Sequence, residues 1–399
     1  MSGTLQLALR SLANRRTTVL LTLAAIAVSV SLLLGVQKLR SAAREGFTST
    51  VSGVDLIVGA RSGPLNLLLY SVFRVGDATA NVSWDSYQLV ANHRDVAWTI
   101  PISLGDSHRG FRVLGTTDAY FEHSRIAGGR RLAIRAGKWF SDTHDVVLGA
   151  DVADELRYTP GQQIVIAHGA ADVSFTQHDD QPFRVVGILE RTGTPVDRTV
   201  HVSLEAIAAL HDEAAPTGIT AFMVGMRERS ALLTMQRALN DYRKEPLLAI
   251  IPGVALKQLW DLVAIADRAL MIVAAFVVFA GLLGMLTTVL VSLNERRREM
   301  AILRSVGAAP RHIFTLMVAE AGILASAGVL TGIAITYALL AAAQPLLVAR
   351  FGIFVPLTGL TVADATMLAG IVVAALAMGL LPAWRAYRNT LADGLTIRI

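Results

Sequence analysis

The stretch NERRREMAILRSVGAAPRHIF, residues 294–314, is an arginine-dense segment between two of the most apolar runs in the chain. Residues 295–305 have strong helix propensity, Gly307 favours a helix stop, and Pro310 enforces a break. The stretch therefore predicts a short helix, a turn, and then a new apolar helix. The short helix carries apolar side chains that need a cover. These side chains could face lipid, with the arginines on anionic headgroups, or they could insert into a groove of a partner protein.

The composition predicts a membrane protein, because 53% of the 399 residues are hydrophobic and only 17% are charged. A helix needs about 20 apolar residues to cross a bilayer. Four runs reach that length, and the predicted spans are residues 17–37, 268–293, 313–343 and 364–384. The first run could instead be a cleaved signal peptide. It exceeds the usual apolar region of about 7 to 15 residues, so we interpret it as a retained anchor.

The arginines predict the orientation of these spans, because short cytoplasmic loops carry an excess of Lys and Arg. Eleven arginines lie in residues 1–16, in the loop 294–312 and in the tail 385–399. The short loop 344–363 contains Arg350 alone. Both termini are therefore expected on the cytoplasmic side of the membrane.

The basic charge of the chain follows from the same three segments. Their eleven arginines and three acids amount to +8, against +5 for the whole chain. No basic patch interleaved with aromatic residues stands outside them, so we expect no nucleic-acid partner.

Residues 38–267, between the first two spans, have the composition of a soluble domain. Short β-prone runs, such as DVVLGADV at 145–152, alternate with helical patterns, such as the capped helix expected after Ser203. The fold class is therefore a four-helix membrane protein with a large α+β extracytoplasmic domain inserted between helices 1 and 2. The two ends of this domain are expected to continue the membrane helices as helical stalks. The apolar stretch 62–76 is too short to span, and interfacial helix, dimer contact and core helix remain open.

Catalytic and metal motifs are hard to find in this sequence. The phosphate-binding pattern G-x-x-x-x-G-K-[ST] is absent, as are H-E-x-x-H and G-x-S-x-G. The segment GDSHRG at 105–110 sets Ser107 beside His108, but side chains adjacent in sequence rarely face each other as a nucleophile and a base must. We therefore expect no enzymatic activity in this chain, and any ATPase in a partner subunit.

A histidine and aspartate cluster offers oxygen and nitrogen ligands of the kind Zn²⁺ accepts. Its spacing matches no established ligand pattern, so a solvated turn is the preferred interpretation and no metal site is assigned. The residues concerned are His168, Asp172, His178, Asp179 and Asp180.

Three residues of the third span are candidates for helix contacts. Glu320 is an acid within the apolar run, where hydrogen bonding to a neighbouring helix and a substrate or proton role are both open. Gly328 and Gly332 form a G-x-x-x-G pattern, which permits close helix contact.

The segment ERRREMAILRSVGAAPRHI at 295–313 resembles the signature of the FtsX-like permease family of ABC transporters, which includes macrolide-exporter and lipoprotein-releasing permeases. The N-terminal stretch LQLALRSLANRRTTVLLTLAAIAVSV, AEAGILASAGVLTGI in the third span and the C-terminal LLPAWRAYRNTLADGLTIRI are similar to the same family. The domain sequence from 129 to 207 also resembles the family's extracytoplasmic domain.

The resemblance implies a permease subunit whose loop helix couples it to a separate ATPase chain. On this sequence the coupling role would fall to Glu299, Met300, Ile302, Leu303, Arg304 and Gly307. ATP and Mg²⁺ would be bound by that partner, with no cofactor in this chain. A second permease chain, as a homo- or heterodimer, and membrane lipids are further expected partners, together with a periplasmic adaptor or substrate protein.

The implied activity is mechanotransmission: ATP hydrolysis in the partner moves the extracytoplasmic domain, which exports or extracts a lipoprotein, lipid or drug. Two alternatives remain. The permease could be a signalling subunit that activates a periplasmic partner such as a cell-wall hydrolase. It could also be a membrane-anchored ligand or metal receptor.

Overall fold

Four long helices and a sheet-rich domain make up the computed structural model, which describes residues 16–126, 129–168, 182–295, 309–351 and 355–388. The long helices are α1 Arg16–Thr50, α8 Pro252–Glu295, α9 Pro310–Phe351 and α10 Val362–Arg388. The shorter helices are α2 Pro64–Phe73, α3 Trp84–Ala91, α4 Ala119–His123, α5 Ala150–Leu156, α6 Leu204–Leu210 and α7 Leu232–Asn240. Contacts divide the chain into a membrane unit, residues 1–41, 265–344 and 355–399, and a domain unit, residues 42–264 and 345–354.

The membrane unit is built from α1, α8, α9 and α10. Each is long and apolar enough to cross a bilayer, with candidate spans Arg16–Gly46, Pro252–Val291, Phe314–Leu347 and Val362–Trp384. The four apolar helices expected from the sequence are therefore confirmed, whereas the exact bounds of the spans stay a prediction. Side chains from all four helices form a shared core, which includes Ile26, Val30, Met285, Ala321, Ala325, Ile371 and Ala375.

Three of these helices extend beyond the apolar runs predicted from the sequence. α1 continues to Thr50 and α8 begins at Pro252, so both connections to the domain are uninterrupted helix. Proline suits the first turn of α8 because the N–H it lacks would have no helical partner there. α9 continues to Phe351 and carries Pro345 inside it, where the sequence predicted a loop from residue 344.

The described residues of the domain unit form a large mixed sheet of eleven strands. The strand order is β15-β1-β14-β3-β4-β12-β8-β11-β7, with β10 beside β3 and β9 beside β11. The strands of this path are β1 Leu56–Ala60, β3 Val96–His108, β4 Phe111–Thr116, β7 Ile134–Gly137, β8 Asp145–Leu148, β11 Phe183–Leu189, β12 Thr199–Ser203, β14 Ala221–Met226 and β15 Leu247–Ile250. The short strands are β2 Val82–Ser83, β5 Arg125–Ile126, β6 Arg130–Arg131, β9 Gln163–Ile164, β10 Ala167–His168 and β13 Gly218–Ile219. Most neighbours are antiparallel, whereas β4–β12 and β8–β11 are parallel.

Alternation along the strands separates the cores on the two faces of the sheet. On β1, Leu56 and Val58 pack on one face with α3 and α7, whereas Ile57 packs on the other face with α2. This is the period of two that a pleated strand requires. A third cluster joins β8, β11 and β12 to α5 and α6. The expected α+β domain is confirmed.

The helices of the domain follow local sequence signals. The hydroxyl of Ser203 accepts a hydrogen bond from the Ala206 N–H, so Ser203 caps α6 as predicted. The apolar stretch 62–76 forms α2, whose Leu67, Leu68 and Tyr70 are almost fully buried in the domain core. Of the three interpretations left open for that stretch, the structure therefore supports the core helix.

Candidate functional site

The predicted coupling residues fall in the segment 296–308, outside the described residues. They are Glu299, Met300, Ile302, Leu303, Arg304 and Gly307. On either side of this segment α8 ends at Glu295 and α9 begins at Pro310. At the start of α9 the Ala309 N–H donates to Nδ1 of His312 at 3.2 Å, while the His312 N–H donates to the Ala309 carbonyl at 2.8 Å. This reciprocal pair satisfies two backbone groups at the point where the chain re-enters the bundle.

Gly328 and Gly332 lie where α9 crosses α1. A Cβ added to Gly328 would meet Ile26 Cγ2 at 2.6 Å, and one added to Gly332 would meet Val30 Cβ at 2.7 Å. Real Cβ atoms essentially never approach so closely, so larger side chains would push the two helices apart. The glycines therefore allow the close contact between α1 and α9.

α1 also contacts α8 through a small residue. A Cβ on Gly281 would lie 2.7 Å from the Ser29 hydroxyl oxygen. That hydroxyl donates to Ala25 O at 2.8 Å in its own helix and to Val277 O at 3.2 Å across the contact. α1 thus touches two neighbouring helices through glycine on the opposing side.

Glu320 lies in the interior of the membrane unit, where it is only 5% exposed. The next residue, Ala321, faces α10, because a Cβ added to Gly379 would meet its Cβ at 2.7 Å. A polar side chain buried this deeply is tolerated where it is hydrogen-bonded.

An ion pair that sequence reasoning missed joins α1 to α10. Nζ of Lys38 lies 3.0 Å from Oδ2 of Asp364, with side chains that are 8% and 2% exposed. Lys38 also donates to Gly359 O at 3.1 Å. Two groups that a low-dielectric interior would otherwise disfavour are therefore paired and further hydrogen-bonded.

The Asp364 carboxylate has a second role at the start of α10. It accepts from the Thr361 N–H at 2.9 Å, while the Thr361 hydroxyl accepts from the Asp364 N–H at 3.1 Å. This reciprocal arrangement is a capping box, here with Asp in the third helical position. The T-x-x-D pattern was visible in the sequence. Its lysine partner, more than three hundred residues away, was not.

The two helices that lead to the domain are joined at two levels. Within the membrane unit, Nε of Arg40 lies 2.9 Å from Oδ2 of Asp267. Within the domain unit, the Arg44 guanidinium lies over the Trp260 ring, 5.6 Å from its centroid. Each contact links α1 to α8, so two arginines one turn apart on α1 cross-link the helix pair at neighbouring levels.

The serine and histidine of GDSHRG do not form a nucleophile and base pair. Nδ1 of His108 lies 2.6 Å from Val165 O, and Nε2 lies 3.0 Å from the Tyr158 hydroxyl. Both ring nitrogens are therefore engaged by structural partners. Burial lowers the pKa of His108, so the ring is neutral at pH 7.

The histidine and aspartate cluster cannot be assembled from the described residues. Asp172, His178, Asp179 and Asp180 lie in the segment 169–181, outside them, and of His168 only the backbone is described. Among the described residues no group of three or more His, Cys, Asp or Glu side chains is arranged to hold a metal ion.

Two family profiles match this chain in the order of its architecture. The profile described as MacB-like periplasmic core domain matches residues 19–242, and the one described as FtsX-like permease C-terminal matches residues 271–391. The first covers more than half of the 399 residues. No curated protein sequence matches the chain significantly.

Among solved structures, two external domains of transporters are similar to part of the chain. The periplasmic region of MacB from Actinobacillus actinomycetemcomitans is 12% identical with a TM-score of 0.35, over 54% of this chain and 97% of that one. The extracellular domain of the noncanonic ABC-type transporter YknZ from Gram-positive bacteria is 13% identical with a TM-score of 0.32, over 49% of this chain and 98% of that one. The assignment follows from the profiles: the chain belongs to the FtsX-like permeases with a MacB-like periplasmic core domain, the membrane-spanning subunits of ABC transporters.

Proposed function

We propose that this permease transmits the ATP-driven motion of a separate ABC ATPase to its periplasmic domain, and thereby extracts or exports a hydrophobic or amphiphilic substrate. The ATPase seats on the loop helix between the second and third spans, with Glu299 and Arg304 as polar contacts. Both termini and this loop face the cytoplasm, as the arginines of all three segments favour. ATP and Mg²⁺ are held by the partner.

The observation that carries the proposal is the length of the two connecting helices. α8 has 44 residues and α1 has 35 in unbroken helix. At 1.5 Å per residue α8 is about 66 Å long, roughly twice the 30 Å thickness of the hydrocarbon core. A helix that continues without a break from the bilayer into the domain transmits a tilt or shift at one end to the other.

Two arginine contacts favour movement of α1 and α8 as a pair. The Arg40–Asp267 ion pair and the Arg44–Trp260 stacking hold the helices together above the span. Each contact is modest, on the order of 1 kcal/mol. They act on helices that are already aligned by the Ser29–Gly281 contact.

A second permease chain would complete this arrangement. On α8, Leu262 is 64% exposed and Ile265 is 70% exposed, although both precede the predicted span. A second copy or a closely related permease would cover these apolar side chains. The lipid surface beside them is also where a lipoprotein, a lipid or a drug would be encountered.

Purification of the tagged permease in mild detergent, followed by mass spectrometry of bound proteins, tests the ATPase partner. We expect a stoichiometric P-loop ATPase with the wild type and a large loss of it with Glu299→Ala/Arg304→Ala. Arg94→Ala, on an arginine that is 90% exposed in the domain, is the matched control and should retain the ATPase. A preparation of folded permease without any ATPase would refute the transporter mechanism.

Transmission of motion is tested separately, and the chain lends itself to this because it contains no cysteine. A spin label on Lys244→Cys, an exposed site in the domain, reports the distance between two permease copies. We expect ATP to shift that distance in the complex. A Gly-Ser-Gly insertion after Asp261 in α8 should abolish the shift while ATP hydrolysis continues. The same insertion after Asp212, in an exposed turn, should preserve it.

An unchanged distance with ATP in the uninserted complex would exclude mechanotransmission. If the distance changes but no lipid, lipoprotein or drug is moved in reconstituted vesicles, the extraction half of the proposal is wrong. The motion would then serve a periplasmic partner.

A further inference from the structure

A pocket in the domain unit lies where α1 ends, between the last turn of that helix, α2 and α4. It is a small, partly open pocket, with about 20 Å³ available to the centre of a water-sized sphere. Its apolar lining residues include Val54, Val72 and Leu132. Its polar lining residues are two arginines, Arg74 and Arg125, a tyrosine, Tyr120, and the hydroxyl-bearing residues Thr50, Ser52, Ser124 and Thr194.

Arg74 occupies a position where glycine is the usual residue. It ends α2 in the left-handed region with φ of 60°, which most side chains avoid at some cost in free energy. Its guanidinium donates to the Ser71 carbonyl and interacts electrostatically with the Tyr120 hydroxyl. Among the described residues no carboxylate forms an ion pair with it. Burial lowers its pKa, but an arginine remains charged under physiological conditions.

Arg125 brings a second guanidinium to the same pocket from a different element. Its Nη1 donates to the carbonyls of Glu122 at 2.6 Å and Ser124 at 3.1 Å. In the described part of the chain Arg125, too, has no carboxylate partner. Two partly buried arginines thus face one cavity with only neutral acceptors in contact.

The negative charges around the pocket are too weak to neutralise these two arginines. Asp197 acts electrostatically on Tyr120, but its carboxylate already accepts from the Thr192 N–H and hydroxyl and from the Gly193 N–H. The carbonyl ends of α1, α2 and α4 add partial negative charge nearby. Among the described residues that line the pocket, however, only Arg74 and Arg125 are charged, so the lining has a net positive charge.

A capping role alone explains only part of this geometry. A cation near the C-terminus of α2 is favourable, and Arg74 donates to the last turn of that helix. Arg125 lies on β5 and donates through Nη1 to the carbonyls of Glu122 and Ser124, at the end of α4. Convergence of both arginines, a phenol and four hydroxyls on one cavity needs a further reason. Arginine forks and hydroxyls are the groups that bind phosphate and carboxylate oxygens.

We propose that the pocket formed by Arg74, Arg125 and Tyr120 at the end of α1 is a binding site for an oxyanion, with the geometry of a phosphate group. The phosphate belongs to a lipid headgroup or to a soluble phosphate compound. Thr50 and Ser52 place the bound group against the end of the connecting helix. This site does not depend on the transport mechanism proposed above, and it would persist if that mechanism failed.

The test uses the full chain in a neutral maltoside detergent. Inorganic phosphate at constant ionic strength, monomeric dihexanoyl phosphatidic acid and dihexanoyl phosphatidylcholine are titrated by calorimetry. We expect saturable binding of phosphate, of phosphatidic acid, or of both. Arg125→Gln and Arg74→Gln should each weaken it by about tenfold or more, as expected for loss of a charge-assisted contact. Arg94→Gln, the same charge change on an arginine outside the pocket, should leave it unchanged.

The three probes separate the two sources of the phosphate. Binding of phosphatidic acid alone assigns the site to a headgroup, and binding of free phosphate assigns it to a soluble compound. Phosphatidylcholine binding that persists in both arginine variants would show apolar adsorption and would overturn the proposal. The absence of phosphate and phosphatidic acid binding, or equal binding by wild type and Arg125→Gln, would also overturn it. The far-UV circular dichroism of each variant checks its fold, because Arg74 and Arg125 also donate to carbonyls at the ends of α2 and α4.

Discussion

The Lys38 ammonium and the Asp364 carboxylate lie 3.0 Å apart at the junction of α1 and α10, and both side chains are more than nine-tenths buried. Lys38 also reaches Gly359 O, and Asp364 caps its own helix through Thr361. The pair therefore connects the first span to the segment that leads into the last one.

Replacing one member of this pair should destabilise the protein far more than replacing both. Lys38→Met or Asp364→Asn alone leaves a buried charge without its counterion, for which we expect a loss of about 3 to 5 kcal/mol. The double variant should recover much of that loss. Thermal unfolding of the purified protein in detergent gives the coupling between the two changes.

The exposed pair Arg40–Asp267 is the matched control for this cycle, because its side chains are 36% and 22% exposed. Arg40→Met and Asp267→Asn should each change stability by no more than about 1 kcal/mol. Equal effects at the two pairs would contradict the role assigned to burial.

Gly332→Ala should destabilise the membrane unit, although alanine is the better helix former. The new Cβ would meet Val30 Cβ at 2.7 Å and the Ala27 carbonyl oxygen at 2.8 Å. Such overpacking typically costs about 1 to 3 kcal/mol. Gly370→Ala in α10 is the control, because nothing lies within 4 Å of the added atom. There the helix propensity of alanine should raise stability by up to about 1 kcal/mol. If both variants shift the unfolding temperature in the same direction, α1 and α9 are not in close contact at this glycine.

His201 makes the domain sensitive to acid. Burial, assisted by the nearby Arg74, lowers the pKa of His201 to about 3, and its Nε2 has no hydrogen-bond partner within the described part of the chain. The unfolded chain binds this proton near pH 6.5, so the stability that the neutral ring contributes is present above that pH and is lost as pH falls towards 3. Between pH 7.5 and pH 5 we expect a loss of about 2 kcal/mol.

Unfolding of wild type and His201→Gln over this pH range checks the assignment, because the variant should lack that part of the pH dependence. His93→Gln, at an exposed histidine, should keep it. A wild-type profile reproduced by His201→Gln would rule out His201 as the acid-sensitive group.

Asp151 is expected to change the stability of the domain with pH in the direction opposite to that of His201. Burial, opposed by the ion pair with Arg191 at 3.0 Å, raises the pKa of Asp151 to about 6. The folded domain therefore holds this proton more tightly than the unfolded chain does. The stability it adds is complete below about pH 4 and is lost as pH rises through 6.

The free energy of unfolding of Asp151→Asn, relative to that of the wild type, should therefore rise by about 1 kcal/mol between pH 5 and pH 7.5. Asp241→Asn, at an exposed aspartate, serves as the control and should follow the wild type. A constant difference between Asp151→Asn and wild type across this range would show that Asp151 does not titrate there.

Local and additive signals explain what the sequence could predict. The hydropathy of four runs, the alternation of short strands and the serine before α6 each depend on neighbours in the chain, and each is present in the structure. The family resemblance is confirmed by both profiles.

These local signals could not predict contacts between residues that are distant in sequence. Lys38 meets Asp364 only because two helices distant in sequence are neighbours, and Arg74 meets Tyr120 only through the arrangement of α2 and α4 on the sheet. Neither Lys38 nor Arg74 belongs to a recognisable sequence motif. The coupling residues from Glu299 to Gly307 stay a prediction, since they lie outside the described residues.

The position of β1 in the sheet has a consequence for biosynthesis. This early strand pairs with β14 and β15, so Ile57 is matched with Met223 and Ile250. The sheet cannot be completed until the ribosome has supplied the chain as far as residue 250. Such distant pairing is slow to form and leaves apolar strand edges exposed meanwhile. The nascent domain therefore depends on protection from aggregation during the interval between insertion of its first membrane helix and synthesis of its last strand.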